Sequence, residues 1–121
     1  MQAIWEMDFF LSPSAVQEKR GERPYHPYLT MSVDHWSGFI FDTDLASPGT
    51  HLEEFPERFL ALAERLKKLP AELWVKREEA YDLLEPITSR LGVELCLVDE
   101  LEALEEAGAA LGRFMGLPDL P

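Results

Sequence analysis

Ile4-Trp5-Glu6-Met7-Asp8-Phe9-Phe10-Leu11 is a run of large apolar side chains interrupted by two carboxylates. Aromatic and β-forming residues at this density predict a strand. Strand side chains alternate between faces. Trp5, Met7, Phe9 and Leu11 therefore form one wholly apolar row, the expected core face. Ile4, Glu6, Asp8 and Phe10 form a second, mixed row.

Downstream, Pro13 ends the strand, and Gln17 to Pro27 contains Gly21, Pro24 and Pro27, which predicts a loop. Tyr28 to Asp34 alternates again, with Leu29, Met31 and Val33 inward and Thr30, Ser32 and Asp34 outward. His35-Trp36-Ser37-Gly38 is a short polar connection, with Ser37 a turn residue, and Phe39 to Phe41 follows as a third strand ending at Asp42. Ser47-Pro48-Gly49 breaks the chain.

The second half alternates helices and strands. Phe55, Phe59, Leu62, Leu66 and Leu69 are spaced by 4, 3, 4 and 3, a single helical stripe. Pro56 suits its first turn, and Pro70 stops it. Leu73-Trp74-Val75 is a buried strand. Glu78 to Leu91 is the next helix, with Ala80, Leu83, Leu84, Ile87 and Leu91 inward and Gly92 as its C′ residue. Pro86 falls inside it, where a kink or broken turn is expected. Val93 to Val98 is a strand. Asp99, with Glu102 three positions on, reads as a capping box for a last helix. Its stripe is Leu101, Leu104, Leu111 and Phe114 or Met115, and Gly116 ends it. Residues 117–121 are expected to fray. The result is one α/β domain over residues 1–121, bordering on α+β because its first three strands form a meander. Its order is β-β-β-α-β-α-β-α, and the final β-α-β is a right-handed crossover between parallel strands.

This order resembles the ribonuclease H-like fold. Ile4-Trp5-Glu6-Met7-Asp8-Phe9 is similar to the first strand of integrase and transposase catalytic cores, which carries a central Asp. Val33-Asp34-His35-Trp36-Ser37-Gly38-Phe39-Ile40 resembles their second hairpin, with its V-D-x-x-S-G-F/x-I pattern. The whole chain also resembles a bacterial domain family of unassigned function, with Arg23-Pro24-Tyr25-His26-Pro27 as its R-P-Y-x-P segment and Val98 to Leu101 as its V-D-E-L segment. The resemblance implies a mixed five-stranded sheet of order 3-2-1-4-5, with the second strand antiparallel to the rest. It also places Asp8 where nucleases of the superfamily hold their first metal-binding carboxylate.

Two-metal phosphoryl transfer needs carboxylates that converge from separate elements. The resemblance puts the second at the end of the fourth strand, where the chain has Val75-Lys76-Arg77-Glu78-Glu79. A cation at Lys76 or Arg77 would repel a metal there. Glu78 could serve only if the strand ran two residues further. Glu105 and Glu106 could offer a third ligand, and they equally suit a solvated face. The expected alternative is an ion pair of Asp8 with Lys76 or Arg77, within about 6 Å. No metal or other cofactor is expected unless the nuclease reading holds, when Mg²⁺ or Mn²⁺ would serve.

Other groupings are sparse. His26, His35 and His51 share no ligand spacing. The serines lack a nucleophile elbow, and no Gly-rich phosphate loop is present. Cys96, the sole cysteine, sits between Leu95 and Leu97 as an expected core thiol. It leaves no disulfide framework, and Met1 to Leu11, with Glu6 and Asp8 and no basic n-region, is not expected to be a signal peptide, so a reducing cytoplasmic setting is expected. No apolar run reaches the roughly 18 residues of a membrane span. A net charge of -12, from 23 acidic and 11 basic residues, repels nucleic acid. The densest cations, Arg58, Arg65, Lys67 and Lys68 on one helix and Lys19, Arg20 and Arg23 in one loop, read as solvated faces. Tyr25 and Trp36 are the candidates for a protein-binding surface, and either a protein partner or a homodimer fits them. The leading functional reading is a non-enzymatic accessory or protein-interaction domain. A metal-dependent nuclease using Asp8 is the alternative, and a small-molecule-binding domain at the strand C-terminal ends is the second alternative.

Overall fold

The computed structural model describes residues 2–12, 20, 21 and 23–114, with the side chains of 113 and 114 outside the description. Pro13, Gln17, Lys19, Met115, Gly116 and the 117–121 tail lie outside the described residues. The elements are β1 (Ile4–Leu11), β2 (Tyr28–Asp34), β3 (Ile40–Ala46), α1 (His51–Leu66), β4 (Glu72–Val75), α2 (Glu78–Leu91), β5 (Glu94–Leu97) and α3 (Glu102–Phe114). They form a five-stranded sheet of order β3-β2-β1-β4-β5. β1 is central, antiparallel to β2 and parallel to β4. β2 pairs antiparallel with β3, and β4 parallel with β5. This is the mixed 3-2-1-4-5 sheet implied by the ribonuclease H-like resemblance.

Both faces of β1 are covered. Trp5, Met7 and Phe9 pack with Phe55, Phe59 and Leu62 of α1 and Ala80 and Leu84 of α2. Phe10 packs with Met31, Val33, Leu101 and Leu104 under α3. A strand buried on both sides loses the inside-outside contrast of its two rows. Ile4 through Phe10 are accordingly all buried, Glu6 and Asp8 included. Leu11 departs from its expected inward place and is 47% exposed. It pairs with Tyr28 at the rim of the sheet, whereas β4 flanks β1 only from Ile4 to Glu6.

The third strand is longer than its apolar core suggests. β3 runs on through Asp42 to Ala46, because pairing with β2 continues to Tyr28 opposite Ala46. Phe39 lies in the turn before it. The turn is closed by the Asp34 N–H to Phe39 O and the Gly38 N–H to Asp34 O, each 2.9 Å. Asp34 Oδ2 accepts the Ser37 N–H and hydroxyl at 2.7 Å. Gly38 has φ 75°, a left-handed conformation that favours glycine.

Three helix boundaries differ from the sequence reading. α1 begins at His51, which makes Pro56 its sixth residue, past the first turn. The Leu52 carbonyl that loses its partner belongs to an exposed residue. The helix ends at Leu66, where Lys67 turns left-handed and the Lys68 N–H returns to Ala63 O, so Leu69 is outside it and exposed. α2 continues unbroken through Pro86 for 14 residues. Asp82, whose carbonyl is freed, and Pro86 itself face solvent. Its buried row is Ala80, Leu84 and Thr88; Thr88 donates its hydroxyl to Leu84 O at 3.1 Å, and Leu91 is exposed. α3 begins at Glu102, so Asp99 lies too early to cap it, and Leu101 O receives the first helical N–H, from Glu105. Among the described residues, no helix is long and apolar enough to cross a membrane.

Candidate functional site

The α3 face of the sheet carries the mixed row of β1, with Glu6 and Asp8 both buried. Asp8 stands on the central strand and is 2% exposed. β4 ends beside it, and the turn into α2 delivers two cations. Arg77 Nε donates to Asp8 Oδ1 at 2.9 Å, and Lys76 Nζ lies 3.9 Å from Oδ2. Arg77 also lies over the Phe9 ring, 5.3 Å from its centroid. Burial pushes the Asp8 carboxyl above its ordinary value. The Arg77 charge and hydrogen bond, the Phe9 N–H and the Lys76 charge pull it back without cancelling that push.

Glu105 comes to this site through Lys76, which donates to its Oε1 at 3.2 Å. Glu78 and Glu106 are exposed, and neither shares a hydrogen bond or ion pair with Asp8. Sequence reasoning missed the partner on the same strand row, Glu6. It is completely buried, its Oε2 is 2.6 Å from His35 Nδ1, and its Oε1 accepts the Leu104 N–H at 2.9 Å. A carboxylate at a strand centre, two positions from another, was the available signal.

The remaining candidates are dispersed. His26 Nδ1 is 3.0 Å from Ser12 O, and His51 stacks flat on Tyr28 with centroids 3.7 Å apart. Trp36 is 50% exposed and donates its indole N–H to Gln2 O, whereas Tyr25 is half-buried. The helix cations are drawn onto β3: Arg58 pairs with Asp42, and Arg65 donates to Phe41 O. Cys96 is half-buried rather than enclosed in the core, and its Sγ lies 3.4 Å from Glu72 Oε1. Burial first, then Glu72 and Glu94, push its thiol up to about 11, the opposite of an activated nucleophile.

The fold is that of integrase and transposase catalytic cores. The chain is similar to the HTLV-2 integrase catalytic core solved with magnesium in a trimeric form, at TM-score 0.63 and 17% identity, covering 99% of this chain and 76% of that one. It is similar to the BIV integrase catalytic core, at TM-score 0.62 and 14% identity over 93% and 72%. The Mos1 strand transfer complex is a more distant likeness, at 0.54 and 11%, covering 94% of this chain and 40% of that one. At these identities the likeness is one of fold. No curated protein matches the sequence. The model of one family does match, over residues 1–112, and the chain belongs to it: Domain of unknown function (DUF6930).

Proposed function

We infer that this chain is a non-catalytic accessory module, an integrase-like fold that acts through protein association. The observation that carries the reading is the Arg77–Asp8 pair at 2.9 Å, with Lys76 behind it. The residues do not suit a divalent cation at Asp8. The ion would sit against a guanidinium and an ammonium, and the carboxylate of Glu105 is held by that same ammonium. Two like charges at about 4 Å repel by roughly 4 kcal/mol at a near-surface dielectric. Protein contact is supported by the β2–β3 turn, where Trp36 and Phe39 are 50% and 65% exposed. A second copy of this chain is the first partner to test, since β3 and β5 are both sheet edges.

The experiment is thermal melting during Mg²⁺ and Mn²⁺ titration, for the wild type and Asp8→Ala. A ligand selective for the folded state adds about 2.7 kcal/mol at a hundred times its dissociation constant. The expected result is that no part of any shift depends on Asp8. A shift lost in Asp8→Ala, accompanied by metal-dependent cleavage of nucleic acid, would overturn the reading.

A further inference from the structure

At the opposite end of β4, three ligating side chains converge on the open edge of the α3 face. Glu72 and Glu94 are paired across β4 and β5, and Cys96 lies two positions along β5, on the same side. One ligand atom from each lies within 4.8 Å of the other two. This place is distinct from Asp8: Glu72 pairs with Ile4, four residues back along β1, about 13 Å at the usual strand rise.

Glu72 and Glu94 face each other across the β4–β5 ladder. Directly opposed carboxylates repel across a ladder. Asp8, Asp42 and Asp44 each have a Lys or Arg partner. Among the described residues, neither Glu72 nor Glu94 has an ion pair. Glu72 Oε1 instead accepts the Trp74 indole N–H at 3.0 Å and lies 3.4 Å from Cys96 Sγ, so the indole holds this carboxylate oxygen beside the thiol.

We propose that Glu72, Glu94 and Cys96 form a binding site for one zinc-class divalent cation, with solvent as the fourth ligand. The donor set selects the metal class. A thiolate favours a borderline-soft ion, whereas two carboxylates alone would suit magnesium or calcium. Tetrahedral zinc, with Zn–S about 2.3 Å and Zn–O about 2.1 Å, sets its donors roughly 3.5 Å apart. The Sγ–Oε1 distance is already 3.4 Å. Glu94 is exposed and Glu72 and Cys96 are half-buried, so an ion can enter and keep a water.

The test is a Co²⁺ titration of the reduced, chelator-stripped full chain, followed by Zn²⁺ competition. The expected result is one thiolate-to-cobalt charge-transfer band per chain, displaced by Zn²⁺. The band is lost in Cys96→Ser. Affinity falls at least about tenfold in Glu72→Gln and Glu94→Gln. Glu57→Gln, an exposed acid on α1, leaves binding unchanged. Glu94 is exposed, so Glu94→Gln tests the site even if Cys96→Ser folds poorly. Absence of the band at stoichiometric Co²⁺, its survival in Cys96→Ser, or unaltered affinity in both Glu variants would overturn the proposal.

Discussion

Glu6 of the central strand accepts the backbone N–H of Leu104 at 2.9 Å, so β1 itself caps the last helix. Its other oxygen meets His35 at the β2–β3 turn. One completely buried carboxylate thus joins the sheet, a hairpin and α3. Glu6→Ala leaves a buried N–H and an imidazole without their acceptor. Each such loss costs about 1–3 kcal/mol. The expected destabilisation is about 3 kcal/mol by urea unfolding, with Glu6→Gln losing less because its carbonyl can still accept from Leu104. Equal stability of Glu6→Ala and wild type would contradict this.

The pH dependence of Asp8 has a definite sign. Its folded pKa lies above its unfolded value, with desolvation outweighing Arg77 and Lys76. The folded state therefore binds that proton more tightly, and stability falls as pH rises from the unfolded to the folded value. Asp8→Asn is expected to be at least as stable as wild type at pH 7, with its advantage shrinking as pH is lowered. An advantage that grows toward acid would mean that the cations dominate. Denaturant midpoints of both proteins between pH 4 and pH 7 decide it.

Phe55 and Leu11 test which side chains the tertiary structure encloses. Phe55 is fully buried between β1 and α1, whereas Leu11 is 47% exposed. Phe55→Ala is expected to cost about 3–5 kcal/mol. Leu11→Ala should stay within about 0.5 kcal/mol. Parallel urea titrations check both.

Pro86 lies inside an unbroken helix, on its solvent side. Proline in an exposed helix interior is worse than alanine by about 3 kcal/mol. It also restricts the unfolded chain, which returns up to about 1 kcal/mol. Pro86→Ala is therefore expected to stabilise the protein by about 2 kcal/mol, read as a rise in melting temperature. No change would indicate that the turn around Asp82 is distorted enough to accept the ring.

Local patterns carried the element order. Alternation in Tyr28 to Asp34 and the Phe55-Phe59-Leu62 stripe each need only their own neighbours to be read, and the resemblance of the first strand and hairpin supplied the sheet order. Boundaries were less legible. β3 is extended by pairing across the sheet, and α1 starts at His51, five residues before Pro56, with the freed carbonyl belonging to the exposed Leu52.

The sequence by itself determined which residues are strand or helix formers, and that Asp8 precedes two cations at the end of the fourth strand. Only the tertiary structure decided how the two cations share Asp8 and what the other polar groups meet. Side-chain period is a local property of the backbone, while burial and register depend on elements far apart in sequence. α3 covers the second face of β1, which encloses Glu6 and Asp8 in one row. The end of β4 sets Arg77 at 2.9 Å and Lys76 at 3.9 Å from the same carboxylate. The parallel register of β4 and β5 brings Glu72, Glu94 and Cys96 together, because paired residues of adjacent strands must share a face.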